Sequence, residues 1–336
     1  MVVVSLNRQR LSVYSKGKLF ETTTVSTGKS SDPTPSGVFA VIEKSERHFS
    51  NIYGGAPMPF MQRLTMSGVA LHSGHVTGRV ESHGCVRLPH EYSKRLFRIT
   101  TLGARVLISD DDPEPVEIAH MALLTPARIA AATKLASAKT AENPGTATDS
   151  GTSPPAASAT DKSIDPRTGK PKGPLSLLRD DVLRAAPVSI LVSRAEGRVY
   201  LRHMFEPQIE APVAISEPRR PFGTHVYTLN EIAEDGSDQR WSAVTVKLVP
   251  RRTAAIRVLA GKRSRAARSL EPARPAGLAD EGTASTSTDV LERFSLPPEI
   301  LARIAPLLRP GASLVVTDLP PSRRIQTGWT DVIVTP

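Results

Sequence analysis

Two stretches decide the reading: Val69-Ala70-Leu71-His72-Ser73-Gly74-His75 and, after residues 76–81, Ser82-His83-Gly84-Cys85-Val86-Arg87-Leu88. Each pairs a short apolar, strand-like run with chemically active side chains. Cys85 is the only cysteine in the chain. A free thiol titrates near about 8.5 and only its thiolate attacks well, so a nucleophilic cysteine needs help at neutral pH. A histidine held against it can take the proton, and His72, His75 and His83 all lie within thirteen residues of it. Gly84 leaves room for a substrate carbonyl and frees local N–H groups to face a developing oxyanion. Spacing alone does not choose the base. His83 shares the face of Cys85 if both sit on an extended strand, whereas His72 follows an apolar run that delivers it to the edge of a site. A structural buried cysteine stays open on the residues alone. So does a His/His/Cys zinc site, although this spacing matches no common zinc pattern.

Working outward, residues 2–42 read as short strands separated by turns. The strand-like runs are Val2–Leu6, Leu11–Tyr14, Leu19–Thr27 and Val38–Ile42. The turns are Asn7-Arg8-Gln9-Arg10, Lys16-Gly17-Lys18 and Pro33-Thr34-Pro35-Ser36-Gly37. Residues 43–68 read as a long ordered loop. Pro89 to Thr100 has helical spacing at Tyr92, Leu96, Phe97 and Ile99, and Val106-Leu107-Ile108 reads as a last strand. A mainly β domain with one short helix is therefore expected, ending near residue 118. From 119 to 180 the composition shifts to Ala, Ser, Thr, Pro and Lys. That predicts a disordered linker, with a short helix around 124–138. A second β-rich domain is expected over 181–336, interrupted by a basic disordered insert near 261–289.

The second half echoes the first. Arg8…Val13-Tyr14 recurs as Arg194…Val199-Tyr200, and Pro35-Ser36-Gly37 as Pro221-Phe222-Gly223. Leu88-Pro89…Glu91…Arg95…Gly103-Ala104…Asp110 aligns without a gap on Leu296-Pro297…Glu299…Arg303…Gly311-Ala312…Asp318. The His- and Cys-bearing segment of the first half has no counterpart. The second half reads as a degenerate, catalytically bare copy.

The formal charge is +10, which favours anionic partners. No recognisable nucleic-acid module accompanies it, so an acidic envelope polymer or a membrane surface fits better. One cysteine excludes an intrachain disulfide and a multi-cysteine zinc framework. No stretch approaches the length of an integral membrane segment. Met1-Val2-Val3-Val4-Ser5 is too short for a signal peptide, so either the protein is cytosolic or an export signal lies upstream of this start or was removed from it.

On these residues the first third of the chain resembles the L,D-transpeptidase catalytic domain family, also called YkuD or ErfK. The signature is a strand-borne histidine, a short loop and Ser/Thr-His-Gly-Cys, present as His72 and Ser82-His83-Gly84-Cys85-Val86-Arg87. Gln9-Arg10-Leu11 with Tyr14, Val25-Ser26-Thr27-Gly28 and Thr34-Pro35-Ser36-Gly37 accompany it in family order. The resemblance implies a β-sandwich with the short helix over the site, acting without cofactor or metal. It implies Cys85 as nucleophile, His72 as base and the Ser73 carbonyl as the group orienting the imidazole. Gly84 and Cys85 N–H groups are expected to form the oxyanion hole, with His83 ordering the loop. Arg87 and Ser82 are candidate substrate contacts, and Tyr53 and Met61 belong to a wall or lid over the cleft, residues 48–66. The expected substrate is the peptidoglycan stem tetrapeptide in the periplasm or cell envelope. The thioester would pass to a stem amine, giving a 3→3 cross-link, or to an envelope protein. Water as acceptor makes the enzyme an L,D-carboxypeptidase, and a non-enzymatic wall-binding protein is the other alternative. Carbapenems are expected inhibitors.

Overall fold

Val2-Val3-Val4-Ser5 lacks the polar alternation of a half-exposed strand, and its surroundings explain why. A computed structural model of the chain describes residues 1–118, 187–203, 206–233, 239–248, 285–321 and 334–335. The first half begins β1 (Val2–Ser5), β2 (Arg10–Ser15), β3 (Lys18–Thr24), β4 (Gly37–Ala40), β5 (Glu43–Ser45) and β6 (Met61–Arg63). It continues β7 (Ala70–Ser73), β8 (Val86–Leu88), α1 (His90–Ile99), β9 (Arg105–Ser109) and β10 (Val116–Ile118). β1 is buried along its whole length. It lies in the middle of a five-stranded sheet of order β3-β2-β1-β9-β4 that is covered on both faces. A strand so placed reads as a continuous apolar run.

One face of that sheet packs on a four-stranded sheet of order β5-β6-β7-β8 and on α1. Val2, Val4, Leu11, Val13, Phe39, Val106 and Ile108 meet Leu71, Val86, Leu88, Tyr92 and Leu96 in one core. This is a mainly β sandwich with one helix, as the sequence implied. The 43–68 segment is not wholly loop, because β5 and β6 pair antiparallel within it.

The second half runs β11 (Val188–Ser193), β12 (Arg198–His203), β13 (Glu206–Pro212), β14 (Ala214–Ile215), β15 (Thr224–Ile232) and β16 (Gln239–Thr245). Then follow α2 (Ser287–Glu292), β17 (Phe294–Ser295), α3 (Pro298–Ile304) and β18 (Ser313–Thr317). Its seven-stranded sheet has the order β10-β16-β15-β18-β11-β12-β13. β11 is antiparallel to β12 and parallel to β18, and β18 is antiparallel to β15. β1 has the same relations to β2 and β9, and β9 to β4. Five strands of the second sheet therefore repeat the order and directions of the first.

The other face of the first sheet rests on the second sheet. Val3, Tyr14, Val38 and Leu107 pack with Leu191, Val226, Val244 and Val315, while Arg105 Nε donates to Ser313 Oγ at 2.7 Å across the junction. Two crossings tie the halves together. β10, the last strand before the expected boundary at 118, pairs with β16 of the second sheet rather than with the first. Val334, beyond β18, bridges Val38 of β4, with Val38 N–H donating to its carbonyl at 2.9 Å. Neither crossing is legible in the sequence, because pairing between distant segments leaves no local pattern.

The outer face of the second sheet is covered by α2 and α3, with Trp241, Phe222, Phe294, Ile300 and Ile304 in one core. The linker 119–180, with its expected helix, lies outside the described residues, as does most of the insert near 261–289. The end of that insert is ordered instead. Ser285 is buried and donates to Pro221 O at 2.9 Å, and Thr286 caps α2 by accepting from Asp289 N–H.

Candidate active site

β7 and β8 run parallel, with Leu71 beside Val86 and His72 beside Arg87. Strand alternation sends Leu71, Val86 and Leu88 into the sandwich core and leaves Ala70, His72 and Arg87 on the opposite face. Cys85, just before β8, packs on that face with Met58, Met61 and Ala70. The sheet thus brings the thiol and His72 to one side. Its thiol lies 3.5 Å from Gly68 O.

His72 is 7% exposed, and its Nδ1 lies 2.8 Å from Ser73 O. A carbonyl only accepts, so Nδ1 carries the proton and Nε2 keeps its lone pair. Burial pulls the His72 pKa below its ordinary value, with the Ser73 hydrogen bond opposing and the charges of Arg87 and His48 assisting. Burial likewise pushes the Cys85 thiol up, while a backbone hydrogen bond from Ala70 and the charges of Arg87 and Arg63 pull the other way. Both causes favour the neutral forms of the two groups.

The segment before β8 is held by its neighbours. Ser82 N–H donates to Thr27 O, and Ser82 O accepts from Lys29 N–H. Ser82 Oγ donates to Cys85 O at 2.5 Å and accepts from Gly84 N–H at 3.2 Å. Thr34 Oγ1 donates to Gly84 O at 2.9 Å and accepts from Gly28 N–H at 2.8 Å. Gln9 reaches the same region, donating to Thr27 Oγ1 and accepting from Thr27 N–H. The turn motifs around Gln9, Thr27 and Thr34 are therefore the mould of the cysteine loop. Gly84 has φ 105°, a backbone region that strains any residue with a Cβ.

Several expected placements change. His83 does not share the face of Cys85, because the chain bends through residues 83–85 rather than staying extended. Its ring is exposed, 4.8 Å from the Tyr53 ring, and its Nε2 lies 3.1 Å from Lys29 Nζ. Met61 is 0% exposed, so it packs beneath the thiol instead of lining the cleft. Ser82 is buried as well, and its hydroxyl is spent on the loop, leaving none for substrate. Gly84 N–H, expected to face an oxyanion, is engaged by Ser82 Oγ. Arg87 makes an ion pair with Glu81 at 3.7 Å and lies over Gly74. Tyr53 remains half exposed on the loop above the site, its hydroxyl 3.4 Å from His83 O. His75 is exposed. The alternative zinc reading finds no ligand set, since no group of three His, Cys, Asp or Glu among the described residues is arranged to hold a metal ion. No described helix is long and apolar enough to cross a membrane.

Thr34 holds the loop although only its turn motif shows in the sequence. His90 is a further neighbour, its Nδ1 3.0 Å from Ser73 Oγ. Nothing in the local pattern marks a histidine at a helix start as a neighbour of the preceding strand.

The catalytic-domain profile of the L,D-transpeptidase (YkuD) family matches residues 1–108. The putative L,D-transpeptidase YqjB of Bacillus subtilis is 34% identical over 140 residues, covering 37% of this chain and 80% of that protein. An L,D-transpeptidase structure from Stackebrandtia nassauensis is 32% identical with a TM-score of 0.30, covering 32% of this chain and 53% of that one. The LD transpeptidase LdtMt1 in complex with imipenem is 27% identical with a TM-score of 0.30, covering 32% and 57%. The chain thus spans little more than half the length of these solved structures. On the family profile and the curated relative, this chain belongs to the L,D-transpeptidase family.

Proposed function

We propose that residues 1–118 act as a cysteine L,D-transpeptidase on peptidoglycan stem peptides. We infer also that residues 181–336 are a degenerate copy without the chemistry, joined to the first by the 119–180 linker. The observation that carries the catalytic reading is the His72 Nδ1–Ser73 O hydrogen bond on the sheet face that also bears Cys85. It leaves Nε2 as the one basic nitrogen of that ring, with its lone pair free to take a thiol proton. In the proposed course, Nε2 takes the proton as Cys85 Sγ attacks the carbonyl of the third stem residue, at its L-centre. The carbonyl oxygen takes up negative charge, stabilised by the Cys85 N–H. Gly84 N–H joins only if Ser82 Oγ releases it. Collapse breaks the C–N bond, and the terminal D-Ala leaves with the proton from His72. An acceptor amine then attacks the thioester, giving its proton to Nε2 and expelling the thiolate. His83 and Tyr53 hold the loop rather than move protons.

The acceptor is a second stem amine in this reading, which places the protein's work in the periplasm or cell envelope. Thiolate acylation by carbapenems follows from the same chemistry. The degenerate-copy reading is supported by the repeated strand order and by Arg293, which stands three residues before Leu296-Pro297 as Cys85 stands before Leu88-Pro89.

The test is mass spectrometry of purified disaccharide-tetrapeptide after incubation with the protein, beside a Cys85→Ala control. A cross-linked dimer lacking one D-Ala, absent from the control, is the expected outcome. A tripeptide product instead reassigns the enzyme as a carboxypeptidase. Turnover undiminished in Cys85→Ala sinks the catalytic assignment.

A further inference from the structure

Ser73 is held at all three of its polar groups. Its carbonyl accepts from His72 Nδ1 at 2.8 Å, and its N–H donates to Pro59 O at 2.9 Å. Its hydroxyl lies 3.0 Å from Nδ1 of His90, the first residue of α1. The His90 ring also stands edge-on to Phe60, centroids 5.4 Å apart, and Phe60 in turn meets Phe97 further along α1 at 5.9 Å. Phe60 adopts φ 54°, a conformation that a bulky residue keeps only where its surroundings over-determine it. Phe60 follows Pro59, whose carbonyl holds Ser73 N–H. His90 therefore touches both arms that fix Ser73, one by a hydrogen bond and one through the Phe60 ring.

We propose that His90 is a positioning residue for the catalytic base, fixing the Ser73 carbonyl that sets the tautomer and aim of His72. The inference rests on His72 acting as base toward Cys85. It assigns α1 a part in the chemistry that its core-facing Tyr92 and Leu96 do not supply.

The test uses Cys85 as the only thiol and needs no peptidoglycan. The second-order rate of alkylation by iodoacetamide is measured from acid to alkaline pH on the full chain. The variants are His90→Ala, His90→Asn, His90→Phe and His72→Gln. Arg87 and His48, the other charged or titratable groups acting on His72, are unchanged in all of them. His90→Asn retains a polar atom near the Nδ1 position but loses the ring, while His90→Phe retains the ring but loses the hydrogen bond. The expectation is that His90→Phe and His90→Ala react about 2- to 10-fold more slowly at neutral pH, the factor of one neutral hydrogen bond. Their profiles should rise only at higher pH, with His90→Asn close to the parent. Unfolding would free the thiol and raise the neutral rate, the opposite sign, and would overturn the proposal as one of positioning. Slow His72→Gln with His90→Phe equal to the parent overturns the His90 role alone. His72→Gln equal to the parent removes both the base assignment and this inference.

Discussion

Three residues before Leu88-Pro89 and α1 the first half carries Cys85, whereas three residues before Leu296-Pro297 and α3 the second half carries Arg293. The strands around the two positions match. Ser26 bridges Arg87 two residues past Cys85, and Ala214 pairs with Ser295 two residues past Arg293. What fills the space differs. Cys85 is partly exposed, with His72 on the same sheet face. Arg293 is 4% exposed, and its guanidinium donates to the carbonyls of Glu217, Arg220 and Pro221 and to Ser285 Oγ. Its aliphatic and cationic bulk lies over the Phe222 ring, 4.9 Å from its centroid. Matching strands thus carry a partly exposed thiol in one half and a buried cation binding turns together in the other. A strand frame fixes where the chain goes, and the side chain placed on it decides what that position binds.

The widest test of this contrast sets stability against activity. Removing the guanidinium in Arg293→Ala strands several buried carbonyls, so unfolding free energy should fall by about 2–3 kcal/mol. Acyl-enzyme formation by the protein that remains folded should be kept. Cys85→Ala should do the reverse, abolishing acyl-enzyme while stability stays within about 1 kcal/mol of the parent. Urea denaturation of both variants beside acyl-enzyme mass measurements decides it. Loss of acyl transfer in folded Arg293→Ala would mean that the two ends are coupled.

A smaller effect probes the junction. Val334 is buried against the first sheet at Val38. Val334→Ala should cost about 1–2 kcal/mol from lost methyl groups and the residual cavity, and it should destabilise both halves in a single transition. Two separated transitions in calorimetry would show instead that the halves unfold independently.

The smallest expected effect concerns pH. Among the described residues each half buries one histidine, His72 and His225, and burial lowers the pKa of both. As pH falls below the ordinary histidine value of about 6.5, the unfolded chain takes up protons that the folded chain resists, so stability declines on the acid side. Cys85 is raised, so the unfolded chain loses its proton first as pH rises beyond the ordinary thiol value, and stability declines there too. His72→Gln and His225→Gln should each flatten the acid limb, and Cys85→Ala the alkaline one alone. Denaturant midpoints across pH measure this. An alkaline limb unchanged in Cys85→Ala would deny that the folded thiol resists ionisation.

The sequence carried most of the site's inventory and less of its geometry. A lone cysteine two residues after His83, with His72 at the end of an apolar run, is visible in the letters, and so are the Gln9, Thr27 and Thr34 motifs that cradle the loop. Face assignments suffered wherever the chain leaves regular structure. Parity arguments hold along a strand, and the bend at 83–85 with φ 105° at Gly84 breaks them for His83. Met61 and Ser82 illustrate a second limit. Their residue types suit a cleft wall, yet burial depends on which segment lies above them, and here Met58 covers the former and the Thr27–Lys29 backbone holds the latter.

The sequence by itself determined the nucleophile candidate, the short-strand character of both halves and the helix after Pro89, because composition, spacing and period are local properties of the chain. Tertiary structure decided that β10 joins the other sheet, that Val334 returns to the first, that Arg293 seals the position matching Cys85 and that His90 reaches Ser73. Each of these is a contact between segments distant in sequence or across a change of element. Such contacts are selected by the burial and hydrogen bonding of the whole assembly, which no local window encodes.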